Sequence, residues 1–293
     1  MTAKRPITIT FIIPALNEEA VVEMVVRRIL AVVDGRFTDY EMLLINDGST
    51  DSTGAIMDRI AAGHDKVRVL HNKGNIGLGA SYQRGVNEGR FDYVMLLCGD
   101  GGLPAESLPA IFDQIGKADI VIPYMLNLRQ IKIPLRYLLS RTYSNVLNLL
   151  FGFRLRYYNG LPIHRMALVR SIQVTSRGFG FQAEILIKLL KSGCTYVEAG
   201  VEGAEETKRS FALRPSNLLS VARTLIHLVI EATRFIPVPA EIIQKSRQPG
   251  TPPVLDPRQP NNLSSPGTPP APGSHPDYLV PLREHSSPPS GKP

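Results

Sequence analysis

The stretch YEMLLINDGSTDST, residues 40–53, decides the architecture. Its first half is a short apolar run, too short for a helix and bounded by turn residues. That composition predicts a β-strand buried on both faces. The run stops at Asn46, Asp47, Gly48 and Ser49, and Ser and Thr then open a helical pattern through GAIMDRIAAG. A strand, a polar turn and a helix in this order form one βα unit. NDGS is read either as a turn capping that helix or as part of a ligand site.

The same unit recurs on both sides. ITITFIIP (7–14) predicts a strand, and EEAVVEMVVRRILAVV (18–33) a helix that Asn17 could cap. KVRVLHN (66–72) predicts a strand and LGASYQRGVNEG (78–89) a helix. FDYVMLLCGD (91–100) predicts a strand, and PAESLPAIFDQIG (104–116) a helix with Pro104 in its first turn. ADIVIPY (118–124) predicts a fifth strand. Strands alternating with helices predict an α/β fold with a mainly parallel sheet covered on both faces. Ligands of such sheets bind beyond the strand C-termini.

The marked residues collect at those ends. Pro14, Ala15, Leu16, Asn17 and Glu18 follow the first strand, and Asn46, Asp47, Gly48, Ser49 and Asp51 the second. Gly74, Gly77 and Gly79 follow the third, where they allow tight turns and close backbone approach. Asp100 follows the fourth. Acids and glycines on one sheet edge suit a nucleotide, with carboxylates accepting hydrogen bonds from base and ribose.

FIIPALNEE (11–19), INDGSTDST (45–53), NIGLGAS (75–81) and the acid after the fourth strand together resemble a family 2 glycosyltransferase. Within that family they are most similar to the dolichol-phosphate mannosyltransferase and polyprenyl-phosphate glycosyltransferase group. The resemblance covers residues 7–210. It implies a GT-A (Rossmann-like) fold, a nucleotide-diphosphate sugar donor, and Mg2+ or Mn2+. It implies that Pro14, Leu16, Asn17, Glu18, Gly48, Ser49, Gly77 and Gly79 line the nucleotide and that Asp47 holds the base.

In this register the family's Asp-any-Asp after strand four reads Cys98, Gly99, Asp100, and its following polar residue reads Gly102. A thiolate is a poor ligand for a hard cation, so Cys98 is read as a buried strand-end residue. Asp100 is then the single protein carboxylate on the metal and a catalytic residue. The family's arginine after strand five has no direct counterpart in VIPYMLNLRQ (121–130), where Arg129 comes a few positions late.

The second half of the chain matches in part. RYLLSRTYSNVLN (136–148) resembles the family helix that meets the acceptor phosphate, which makes Arg136 and Arg141 candidates. YYNGLPIHR (157–165) puts Asn159 and Gly160 at a family loop. GFGFQAE (178–184) puts Gln182 and Glu184 toward the sugar, with Glu184 a candidate catalytic residue, unless both only fix the loops. EETKRSFAL (205–213) makes Lys208 and Arg209 diphosphate contacts.

The formal charge is +7, without a block of like charges, so no nucleic-acid partner is expected. Two distant cysteines give neither a disulfide framework nor metal spacing. No run is long and apolar enough to predict a membrane-spanning helix. SNLLSVARTLIHLVIEATRF (216–235) is an amphipathic helix, with Arg223, His227 and Glu231 on one face, that lies on a membrane or covers the core. Fourteen of the 24 prolines fall in 247–293, where PGTPP occurs twice. That composition predicts a disordered or polyproline-like tail, either dispensable or able to dock a proline-recognising domain.

The expected domains are a GT-A domain over 1–212, an amphipathic helix over 213–246, interfacial or packed on the domain, and the tail over 247–293. The expected activity is inverting sugar transfer from a nucleotide donor to a polyprenyl phosphate for a cell-envelope glycan. The enzyme would sit peripherally on the inner face of the membrane, with a membrane protein as a further partner. The alternatives are a non-lipid acceptor and an inactive nucleotide-sugar-binding scaffold.

Overall fold

The computed structural model describes residues 5–99, 103–131, 134–176, 180–203 and 215–248. The expected disordered tail falls outside these residues, apart from Arg247 and Gln248. The sheet has seven strands: β1 (Arg5–Ala15), β2 (Phe37–Asn46), β3 (Val67–His71), β4 (Tyr93–Leu96), β5 (Ile120–Met125), β6 (Ile163–Arg165) and β7 (Tyr196–Val201). Their spatial order is β3-β2-β1-β4-β6-β5-β7. β6 runs antiparallel to β4 and β5, and every other pairing is parallel.

Helices cover both faces. α1 (Val22–Val33), α2 (Thr53–Ala62) and α4 (Leu108–Phe112) lie on one face with Ile9, Phe11, Ile13, Met42 and Leu44. There Phe11, Phe37 and Phe112 stack with ring centres 5.0 to 6.0 Å apart. On the other face, Ile12, Ile45, Val94 and Ile120 meet α3 (Leu78–Glu88), α7 (Met166–Arg170) and α8 (Phe181–Lys191). α6 (Pro134–Phe151), α9 (Pro215–Arg234) and α10 (Ala240–Ser246) add Leu147, Leu228 and Ile243 to this second core. Successive side chains of a strand point to opposite faces, so an unbroken apolar run feeds two cores. Each fully buried Ile, Leu or Phe contributes about 1.5–3 kcal/mol relative to its exposed state.

Several elements differ from the sequence expectation. α1 begins at Val22, and Asn17 does not cap it; Asn17 is left-handed (φ 54°) and accepts a hydrogen bond from the Thr50 N–H instead. The helix expected over 104–116 is a 3-10 turn, Ala105–Ser107, followed by the five residues of α4. Pro109 has no N–H to continue the first turn. β6, α7, α10 and a short α5 (Leu128–Ile131) carry no clear periodic signal.

α9 covers the core, burying Leu228 and Ala232. Arg223, His227 and Glu231, spaced by four on α9, differ in their partners. His227 bonds Thr175 and Glu231 bonds Lys188, while Arg223 is exposed. The outer side shows Ile226, 62 % exposed, and Ile230, 41 % exposed. Arg247, expected to begin the tail, is bonded into the folded domain through Asp119.

Candidate active site

Four strand exits stand side by side. The Asp47 N–H donates to Ala15 O (3.0 Å), Asn72 N–H to Asn46 O (2.9 Å), Leu97 N–H to Ile12 O (2.9 Å) and Gly99 N–H to Pro14 O (3.2 Å). These bonds extend the β1, β2, β3 and β4 ladders past the strands and bring their loops to one edge.

The first two loops are stitched together. The Asn17 N–H donates to Ser49 Oγ (3.0 Å), and Asn17 Oδ1 accepts from the Thr50 N–H (2.9 Å). The Glu18 N–H donates to Thr53 Oγ1 (2.8 Å). Asp51 Oδ2 accepts from the Glu19 N–H (3.3 Å) and Oδ1 from the Thr53 N–H (2.9 Å). Burial raises the Asp51 pKa, but its hydrogen bonds from Thr53 and Glu19 outweigh that and leave it below the ordinary value. Asp51 is thus a turn-forming carboxylate and a poor proton acceptor.

Asp47 is buried and accepts three bonds. Asn72 Nδ2 (2.8 Å) and the Ile76 N–H (3.0 Å) reach Oδ1, and the Gly77 N–H (3.1 Å) reaches Oδ2. It therefore holds the glycine loop that starts α3, with Gly77 in the left-handed region (φ 88°). Gly48 is also left-handed (φ 78°), and a Cβ there would lie 2.4 Å from the Gly74 carbonyl carbon. The turn after β2 and the loop after β3 can touch only because Gly48 has no side chain. Gly79 is not in a turn; it is buried in the first turn of α3. Pro14 is buried in β1, Leu16 is half-buried and Asn17 is exposed. Asn72 was not singled out in the sequence; its only signal is a polar residue immediately after a strand.

Asp100, Lys208 and Arg209 lie outside the described residues, as does the side chain of Arg136. Cys98 is half-buried rather than buried, two positions beyond the end of β4. Gly99 packs on β1, where a Cβ would lie 2.9 Å from that of Ala15. The described part of this segment, up to Gly99, therefore lies beside the start of the Pro14–Glu18 loop. Among the described residues no three His, Cys, Asp or Glu side chains form a metal-binding group.

The second half lines the same sheet from β5 onward. Gly160 runs against β5, leaving no room for a Cβ beside Pro123 O. Arg141 on α6 and Arg129 on α5 are exposed. Gln182 is buried, and its Oε1 has no hydrogen-bond partner among the described residues.

Glu184 is 1 % exposed and saturated with donors. They are the Thr175 N–H (3.0 Å), Thr175 Oγ1 (3.2 Å), the Ser176 N–H (2.8 Å) and Lys188 Nζ (2.6 Å). Burial raises its pKa, yet Lys188 and the Ser176 and Thr175 hydrogen bonds bring it below the ordinary value. A carboxylate held ionised and fully bonded does not accept a proton readily. These bonds tie Glu184 to the loop before α8, as in the alternative that it fixes the loops.

The fold and the motif-bearing edge define a nucleotide-diphospho-sugar transferase of the GT-A type. The chain belongs to glycosyl transferase family 2, whose model matches residues 10–171. It is a glycosyltransferase. It is 29 % identical over 219 residues to polyprenol monophosphomannose synthase of Mycolicibacterium smegmatis, across 71 % of this chain and 81 % of that protein. It is 26 % identical over 226 residues to undecaprenyl-phosphate mannosyltransferase of Micrococcus luteus, across 72 % of this chain and 91 % of that protein. Among solved structures it resembles glucosyl-3-phosphoglycerate synthase of Mycobacterium tuberculosis in complex with Mg2+ and UDP. The TM-score is 0.57 and the identity 23 %, over 76 % of this chain and 79 % of that one.

Proposed function

We propose that this chain is an inverting glycosyltransferase that moves a sugar from a nucleoside-diphosphate donor to a polyprenyl phosphate. The observation that carries this reading is the joining of the 14–18, 46–49 and 75–77 loops beside the segment leading to Asp100. Relatives named for polyprenol and undecaprenyl-phosphate mannosyl transfer support the lipid acceptor.

The phosphate oxygen attacks the anomeric carbon as the bond to the nucleoside diphosphate breaks. The carbon inverts, and the diphosphate leaves with the electron pair. A phosphate is already ionised near neutral pH and needs no strong base. The engagement of Asp51 and Glu184 in internal hydrogen bonds agrees with that. The 46–49 and 75–77 loops, ordered by Asp47, bind the nucleoside. Arg141, together with Arg136, would take the acceptor phosphate in a bidentate fork. A divalent cation held by Asp100 would offset the charge that builds on the departing diphosphate.

A peripheral position at the inner membrane face is supported by α9. Ile226 and Ile230 point outward while His227 and Glu231 point into the domain. No described helix is long and apolar enough to cross a membrane. A second reading, a donor-binding scaffold without turnover, is favoured by Cys98 at the place of the family's first acid.

A thermal-shift screen against nucleotide sugars, with and without Mn2+, tests the proposal. Binding to the folded state alone raises the midpoint by mass action. A Mn2+-dependent shift with one donor, together with loss of turnover in Asp100→Asn at unchanged stability, is expected. A donor shift without turnover on polyprenyl phosphate would favour the scaffold. No shift with any donor would overturn both readings.

A further inference from the structure

His71 ends β3 and is not among the residues assigned to donor, metal or acceptor. Its ring sits between two partners. Nε2 lies 3.0 Å from Asp58 Oδ1 on α2, and Nδ1 lies 3.1 Å from Asn46 Nδ2 at the end of β2. The orientation of the Asn46 amide follows from its other bond. Asn46 Oδ1 accepts from the Ser49 N–H at 2.9 Å, and a backbone N–H can only donate. The nitrogen of that amide therefore faces His71, and an amide NH2 can only donate. Nδ1 must accept and carries no proton. The remaining ring proton is on Nε2, directed at the Asp58 carboxylate.

The surroundings hold this chain of bonds in place. Gly54 of α2 lies over the pair, and a Cβ there would come 2.6 Å from Asn46 Nδ2 and 3.5 Å from His71 Cε1. Arg84 of α3 donates to the His71 carbonyl at 2.7 Å. At the other end, the Ser49 whose N–H is held also accepts from the Asn17 N–H. The line Asp58–His71–Asn46–Ser49–Asn17 thus runs from the outside of α2 into both loops that carry Asp47 and Asn17.

We propose that neutral His71, protonated on Nε2, is a positioning residue for the donor site: it fixes the Asn46 amide, which sets the Asp47–Ser49 turn. The role in donor binding rests on the glycosyltransferase reading; the tautomer and the hold on Ser49 do not. His71 touches no reacting atom. Its loss should weaken donor binding rather than slow the bound complex, so KM for the donor moves and kcat stays near its wild-type value.

The test uses the full chain and two substitutions. In His71→Asn the shorter amide offers an oxygen near the place of Nδ1; His71→Leu offers no acceptor. The probes are GDP and UDP, each with Mn2+, followed by calorimetry. Removing the acceptor of this half-buried hydrogen bond costs about 1 kcal/mol, so His71→Leu should weaken the nucleotide that the wild type binds by roughly fivefold. It should also speed exchange of the Ser49 amide hydrogen, and His71→Asn should restore both. Equal affinity and Ser49 exchange in His71→Leu and wild type would overturn the proposal. Nitrogen-15 spectra of wild-type histidines need no variant to fold. A bare Nδ1 and a protonated Nε2 on His71 are expected, and the opposite tautomer or an imidazolium at neutral pH would overturn it. If the wild type binds neither nucleotide, the donor reading and the donor role of His71 both fall, while the spectra and Ser49 exchange still decide the tautomer and the hold on the turn.

Discussion

Arg247 grips Asp119 with two prongs, Nε to Oδ1 at 2.9 Å and Nη2 to Oδ2 at 2.8 Å. The pair ties the residue after α10 to the start of β5, at the sheet edge opposite the candidate site. Asp119 also accepts from the Thr195 N–H and Oγ1 at the start of β7. Burial raises the Asp119 pKa, but Arg247 and Thr195 outweigh it and leave the carboxyl below its ordinary value. A carboxyl depressed in the folded state contributes stability above its unfolded pKa and loses it as pH falls through the folded one. Arg247→Ala should cost about 2 kcal/mol at neutral pH, since a charged hydrogen bond is lost from a half-exposed arginine. Urea denaturation across pH should show the wild-type advantage shrinking in acid, below the ordinary aspartate range.

Glu184→Gln should destabilise the protein by about 3 kcal/mol, because it leaves Lys188 buried with reduced compensation. Lys188 is 3 % exposed and keeps Gln173 O, Glu231 and the Phe235 ring as partners among the described residues. Adding Lys188→Met should recover much of the loss, and a double-mutant cycle by chemical denaturation reads the coupling. If Glu184 acted as a base, the single variant would lose turnover without losing stability.

Gly48→Ala should lower both the melting temperature and donor affinity. The new Cβ meets the Gly74 backbone and sits on a left-handed residue, a strain of roughly 1 kcal/mol before the clash is counted. Gly35 is left-handed too (φ 71°), with nothing within 4 Å of an added Cβ. Gly35→Ala should carry the backbone strain alone and leave donor affinity unchanged.

Ile226→Asp with Ile230→Asp should abolish sedimentation with anionic lipid vesicles. Both side chains are exposed, so the melting temperature should stay within a degree or so of wild type. Vesicle binding that survives would place the membrane contact elsewhere.

Deleting 249–293 should leave folding and transfer in vitro unchanged. The cut belongs after Gln248, because removing Arg247 as well would break the bond to Asp119.

Much of this protein could be read from residues close in sequence. An apolar run of strand length followed by a helical period is a local pattern, and four such units specify a parallel sheet with its loops on one edge. The family and the loops bearing Pro14–Glu18, Asn46–Ser49 and Gly77 followed from the same short segments. β6 did not: three residues become a strand only because Ile163 and His164 meet both β4 and β5.

The hydrogen-bond partners of the candidate site residues were decided by contacts between distant segments. Asp47 and Glu184 are alike in sequence as carboxylates beside a motif. Which donors meet their oxygens depends on the approach of Asn72 and the 76–77 backbone in one case, and of Thr175, Ser176 and Lys188 in the other. The same holds for α9, whose period shows an amphipathic helix but not which side meets the domain. The sequence alone determined the repeating βα pattern and the family, because both are written in short-range spacing. Only the tertiary structure decided which polar groups are satisfied internally and which stay available to a ligand, because hydrogen bonding depends on atoms brought within about 3 Å by folding.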